Sequence, residues 1–237
     1  MLRSIKLLCA DKLGASDGEI GHVNDIYFDD TNWIVRYVVA DTGNWLPGRQ
    51  VLIPPHLLGR VSQEEKVLHV SLTRQQIESS PSIDSHKPVS RQYEEDYYKH
   101  FGWPFYWQGD VIGGLTGSSA LDLASSALPD EIFPLTSPSP KRGDAHLRSS
   151  NAVNGYHIQA RDGKAGHICD FMVDDITWKI AQLVIKTGHR FSGKEVWVAT
   201  GNVTRISYEE STVFVNLAVE TVQESLEPFS SPVGSRH

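Results

Sequence analysis

Residues 2–53 of this chain recur as residues 147–198 without a gap, and 17 of the 52 aligned pairs are identical. A repeat of this length means that one structural plan is satisfied twice, which constrains the fold before any local pattern is weighed. The shared residues include Leu2-Arg3-Ser4 with Leu147-Arg148-Ser149, Asp17-Gly18 with Asp162-Gly163, and Gly21-His22 with Gly166-His167. They continue through Asp25 with Asp170, Asp29-Asp30 with Asp174-Asp175, Trp33 with Trp178, Thr42-Gly43 with Thr187-Gly188, and Gly48 with Gly193. Many of these are turn formers, so the duplication preserves a backbone first.

Between the turns lie runs rich in β-branched and aromatic residues. In the first copy they are Glu19 to Phe28, Trp33 to Ala40, Arg49 to Ile53 and Lys66 to Leu72; in the second, Lys164 to Val173, Trp178 to Lys186, Lys194 to Ala199 and Thr212 to Val219. These read as short antiparallel strands joined by turns at Asp17-Gly18 and Asp162-Gly163, with a second connection at Asp29-Asp30 to Asn32. Thr73-Arg74-Gln75-Gln76 and Thr221-Val222-Gln223-Glu224 carry the capping-box pattern, so each copy is expected to close with a short helix. The expectation is an all-β protein of two small barrels, at 1–78 and 146–227, with a linker at 79–145 and a flexible tail at 228–237.

The pattern Asp17-Gly18-Glu19-Ile20-Gly21 to Asp25-Ile26-Tyr27-Phe28-Asp29, then Trp33 to Val39, resembles the PRC-barrel family. Asp162 to Gly166, Asp170 to Asp174 and Trp178 to Ile185 repeat it, so the resemblance spans roughly 1–78 and 146–225. That family is named for the cytoplasmic domain of the photosynthetic reaction-centre H subunit and includes the C-terminal domain of a ribosome maturation factor. The resemblance implies paired PRC-type barrels and no catalytic residues; fold alone does not deliver a function.

At 237 residues, two units of under a hundred residues each are the natural division. A formal charge of −7 argues against binding a phosphate backbone. Cys9 and Cys169 sit at non-equivalent positions of the repeat, unlike a duplicated disulfide framework, and read as reduced cytoplasmic thiols. The apolar run Ile5 to Ala10 is too short for a signal segment, and no stretch is long enough to span a membrane.

The linker changes character twice. Ser79 to Ser90 is Ser, Pro and charge, and Gly109 to Asp144 has a composition expected to be largely disordered. Between them, 93–107 packs eight aromatic residues into fifteen positions. These rings either fold back onto a barrel as satellite core or form a docking surface for a protein partner or a second copy of the chain. Membrane contact is opposed by Glu94, Glu95 and Asp96. For docking, the named residues are Tyr97, Tyr98, Phe101, Trp103, Phe105, Tyr106 and Trp107.

Other constellations carry less. His22 with Asp25 and His167 with Asp170 invite a metal or proton-handling reading, but residues three apart on a strand face opposite ways. Asp29-Asp30 and Asp174-Asp175 read as solvated turn acids rather than a calcium or magnesium loop. Gly188 to Lys194 matches Gly-x-x-x-x-Gly-Lys, yet Glu195 follows where a P-loop needs Ser or Thr. Neither a nucleophile elbow nor an activated cysteine context is present. No catalytic, cofactor-binding or metal-ligating residue is assigned, and no cofactor is expected.

The functional expectation is a soluble, non-catalytic adaptor that binds protein partners, with self-association among the options. The H-subunit resemblance implies a place at a photosynthetic or other membrane electron-transfer complex. Alternatives are a ribosome or RNA-processing accessory factor, and a barrel that binds a small ligand or metal.

Overall fold

The computed structural model describes residues 1–62, 66–81, 91–103, 147–188 and 193–225. The stretch 109–144, the tail 228–237, Phe105, Tyr106, Trp107 and the centre of the Gly188 to Lys194 loop lie outside the described residues. The chain divides into two units, one formed by Met1–Lys87 with His146–His237 and the other by Pro88–Ala145.

In the first unit, the first copy contributes β1 (Leu2–Ser4), α1 (Ile5–Leu8), β2 (Lys12–Ala15), β3 (Gly18–Asp29), β4 (Ile34–Asp41), β5 (Gln50–Ile53), β6 (Leu58–Ser62), β7 (Val67–Val70) and α2 (Arg74–Ser79). The Pro88–Ala145 unit holds α3 (Arg91–Phe101). The second copy follows with β8 (Leu147–Ser149), α4 (Ser150–Val153), β9 (His157–Gln159), β10 (Lys164–Asp174), β11 (Ile180–Lys186), β12 (Glu195–Ala199), β13 (Val203–Ser207), β14 (Thr212–Val215) and α5 (Val219–Glu224). Each copy is built on one sheet, in the order β5-β4-β3-β2-β7-β6 and β12-β11-β10-β9-β14-β13. The all-β architecture expected from sequence is therefore present. The same bulges recur, after Val23 and after Ile168, and the 145-residue offset holds to the last helix, Arg74 answering Val219.

The core of each copy is the apolar face of its long strands. Val23, Ile26 and Phe28 of β3 stand opposite Ala40, Val38 and Val35 of β4, all buried, as is Ile20; Ile168, Phe171 and Val173 play this part in β10. Gly21 and Gly166 let strands approach: a Cβ on Gly21 would lie 1.9 Å from the Asp41 carbonyl oxygen, and one on Gly166 2.3 Å from that of Lys186. Both adopt φ values open chiefly to glycine, +130° and +141°.

Three local expectations need correction. Trp33 and Trp178 do not begin strands; at φ of 58° and 55° they are the left-handed last residues of the turns closed by hydrogen bonds from their N–H groups to Asp29 and Asp174. The Thr73 capping box forms, but the box expected at Thr221 does not, because Thr73 is matched by Ala218 and Thr221 lies inside α5. There the first helical N–H is taken by Asp162, whose Oδ1 accepts from Val219 N at 2.8 Å, as Asp17 Oδ1 accepts from Arg74 N. The shared Asp-Gly pair thus both turns the chain and caps the closing helix.

The largest departure concerns how the copies relate. β2 pairs with β3 only over Gly18 to His22, which leaves the same edge of β3 open further along. β8, from the second copy, pairs there antiparallel, Tyr27 opposite Ser149 and Asp29 opposite Leu147. Reciprocally, β1 pairs with the end of β10, Leu2 opposite Asp174 and Ser4 opposite Met172. Each copy donates an arm that covers the open strand edge of the other, and so each sheet reaches seven strands. Trp33 and Trp178 complete the exchange: Val35 N donates to the Trp178 carbonyl at 2.8 Å, and Ile180 N to that of Trp33 at 2.7 Å. Phe28 meets Phe171 across the seam with ring centres 5.9 Å apart and stacks on Trp33 at 5.4 Å.

Candidate functional site

The polar groups singled out by the repeat gather at this seam. Asp25 is buried and accepts from Ser149 Oγ at 2.5 Å, Ser150 Oγ at 2.8 Å and Asn151 N at 3.1 Å. Asp170, half-buried, accepts from Ser4 Oγ and from Lys6 N at 3.0 Å. The serines also cap α1 and α4, accepting from Leu7 N and Ala152 N. Asp25 and Asp170 therefore read the start of the arm donated by the other copy. His22 stays exposed, with Nε2 4.0 Å from Asp41 Oδ2, so it does not join Asp25. The bulge between Val23 and Asp25 breaks the strict alternation expected from sequence, since His22 stands opposite Asp41 and Asp25 opposite Val39, two residues on one side of β4.

The acid pairs are likewise more than solvated turns. Asp29 is buried and bonded to Arg36 Nη2 at 3.1 Å, and it accepts from Thr31 N and Asn32 N. Burial raises its pKa, but the backbone N–H of Thr31, the Arg36 guanidinium and the N–H of Asn32 outweigh it and hold the carboxyl below the usual range. Asp174 is lowered to about 2, chiefly by hydrogen bonds from Thr177. Asp30 and Asp175 read the arginines of the arms: Arg148 Nε to Asp30 Oδ2 at 2.9 Å, and Arg3 Nε to Asp175 Oδ2 at 3.0 Å. The Arg148 guanidinium also lies 3.5 Å from the centre of the Tyr208 ring, whose hydroxyl donates to Asp30. Burial, and then the Asp30 carboxylate, push the Tyr208 phenol upward.

Cys9 and Cys169 both line a cavity of about 100 Å³ at the seam, with Lys6, Asn151, Asn154 and Asp170. Burial foremost, then neighbouring acids, raises Cys9 to about 12 and Cys169 to about 11, so both are thiols rather than thiolates at neutral pH. A second, open hollow of about 390 Å³ is lined by Lys12, Glu19, Gly21, His22, Thr42 and Trp45. Among the described residues no group of three metal-ligating side chains converges, and no helix is long and apolar enough to cross a membrane.

In the other unit, α3 carries the first part of the aromatic segment. Glu94, Tyr97 and Tyr98 are buried, while Phe101 and Trp103 are half-buried. Gly102, at φ 68°, turns the chain so that the Trp103 ring stacks on Phe101 with centres 4.3 Å apart. Tyr97 stands 5.1 Å from Phe101 and Tyr98 5.9 Å from Trp103.

Sequence reasoning thus grouped four of the seven named aromatic residues that the structure places in one ring cluster. It missed the seam. Its signal was present in the identity of Leu2-Arg3-Ser4 and Leu147-Arg148-Ser149, whose arginine and serine no turn requires. No curated protein matches this chain. Residues 13–77, from β2 into α2, match the family model of the PRC-barrel domain. The second copy lies outside that match but has the same strand order and bulges. The similarity shown is thus to the PRC-barrel domain, over residues 13–77.

Proposed function

We propose that this chain is a non-catalytic interaction protein that carries a tandem pair of PRC-type barrels and, in the segment between them in sequence, an aromatic protein-docking surface. The observation that carries the reading is the Phe101–Trp103 stack, two large rings held face to face and only half-buried. Aromatic rings with one covered and one open side are the usual anchors of protein interfaces. Tyr97 and Tyr98, being buried, hold the stack rather than meet the partner; Phe105, Tyr106 and Trp107, the other aromatic residues named for docking, lie outside the described residues.

The resemblance to the H-subunit cytoplasmic domain adds a finer reading, a cytoplasmic adaptor at a photosynthetic or other membrane electron-transfer complex. The net charge of −7 favours a protein partner over nucleic acid. The test is affinity capture from native lysate with the full chain and with Phe101→Ala/Trp103→Ala. A defined partner retained by the parent and lost by the variant supports the reading. Equal capture by both, with unchanged thermal stability, overturns it.

A further inference from the structure

We infer that the seam also forms between chains, so that a second copy of this protein is itself a partner, in a closed dimer in which each seam joins the first copy of one chain to the second copy of the other. This goes beyond the docking reading and does not depend on the aromatic segment. The inference rests on the chemistry of the arms. Both begin Leu-Arg-Ser, and both acceptors offer an open strand edge, an acid for the serine (Asp25 or Asp170) and an acid for the arginine (Asp30 or Asp175). Every contact that closes the seam is made by one copy on the other, so exchange between chains reproduces the whole set and adds no new surface.

Connectivity does not oppose this. The chain between Pro81 and Leu147 has 65 residues, enough at full extension to reach on the order of 200 Å. What favours closure within one chain is effective concentration, of millimolar order for tethered pairs in general. The exchanged dimer is therefore a minor species in dilute solution and grows with protein concentration, or wherever chains are gathered on a common partner.

The experiment traps the exchange chemically. Ser4 and Met172 stand opposite each other in the ladder between β1 and β10. In a full chain bearing Cys9→Ser and Cys169→Ser, one version carries Ser4→Cys and another Met172→Cys; the two are unfolded in urea, refolded together and oxidised with oxidised glutathione. A disulfide-linked dimer is expected from the mixture and from neither version alone, its fraction rising about tenfold for a tenfold rise in concentration while it remains minor. A single chain carrying both substitutions should close the bond internally. If it does and the mixture never links, the proposal is overturned; if it does not, the seam is absent and the proposal falls with it. The pair Tyr27→Cys and Ser149→Cys repeats the test on the other arm. Light scattering on the unsubstituted chain after refolding supplies a measure free of substitutions: a mass of 26.4 kDa at every concentration overturns the inference. An assembly that forms yet traps neither disulfide is association through another surface, and overturns it equally.

Discussion

Asp25 and Asp170 occupy the same place in the repeat and receive the same kind of arm, yet they hold it differently. From the arm, the buried Asp25 takes two hydroxyls and a backbone N–H, and the half-buried Asp170 takes one of each. The difference traces to one residue of the arm. Ser150 follows Ser149 and adds its hydroxyl to Asp25, whereas the residue after Ser4 is Ile5, which turns into the core. A duplicated fold keeps the acid that reads the arm while the arms diverge around it. The seam is therefore one interface with a strong half and a weak half.

The comparison can be broken or sharpened by substitution. The largest effect belongs to neither acid but to the backbone both copies share. Gly21→Ala puts a methyl against the Asp41 carbonyl at a φ that alanine rarely adopts; a loss of about 3 kcal/mol or more in urea unfolding is expected, with Gly166→Ala close behind. Asp25→Ala strands two hydroxyls and an N–H, and should cost about 3 kcal/mol, against about 1–2 kcal/mol for Asp170→Ala. Equal losses would mean that the two halves are not distinct. At the closing helices, Thr73→Ala removes a formed capping box and should cost about 1 kcal/mol, while Ala218→Thr adds a cap where none exists and should stabilise the second copy by a few tenths.

The smallest expected effect is with acid. Asp29 and Asp174 have folded pKa values below the unfolded value, so each contributes stability that is present above about pH 4 and is lost as pH falls through the folded value. For Asp174 that window runs from the ordinary carboxylate value down to about 2. Asp174→Asn should flatten the fall in melting temperature between pH 4 and 3 more than Asp29→Asn, since the Asp174 carboxyl is held down to about 2 while burial of Asp29 offsets part of what Arg36 and the turn N–H groups contribute. An unchanged acid limb in Asp29→Asn would show that the turn does not couple to folding.

Much of the fold was legible in the sequence because its signals are local. The eight strand runs fell within a few residues of β3, β4, β5, β7 and their counterparts, since alternation and β-branched composition extend over enough residues to be read. The strands missed are β1, β2, β6, β8, β9 and β13, at three to five residues each; so few positions carry no period. The cap expected at Thr221 failed because matching by motif overrode matching by the 145-residue offset.

For the candidate sites the division is sharper. The Phe101 and Trp103 cluster could be named from composition, since eight rings in fifteen positions cannot be a passive spacer. The roles of Asp25, Asp30, Asp170 and Asp175 could not. Their partners lie more than a hundred residues away, and each acid alone is indistinguishable from a turn former. By itself the sequence determined that one strand-and-turn plan is built twice and that a dense aromatic segment lies between the copies. Only the tertiary structure decided that the copies complete each other, because β2 is too short to cover β3 and the open edge, with its unpaired backbone groups, is satisfied by the arm of the other copy.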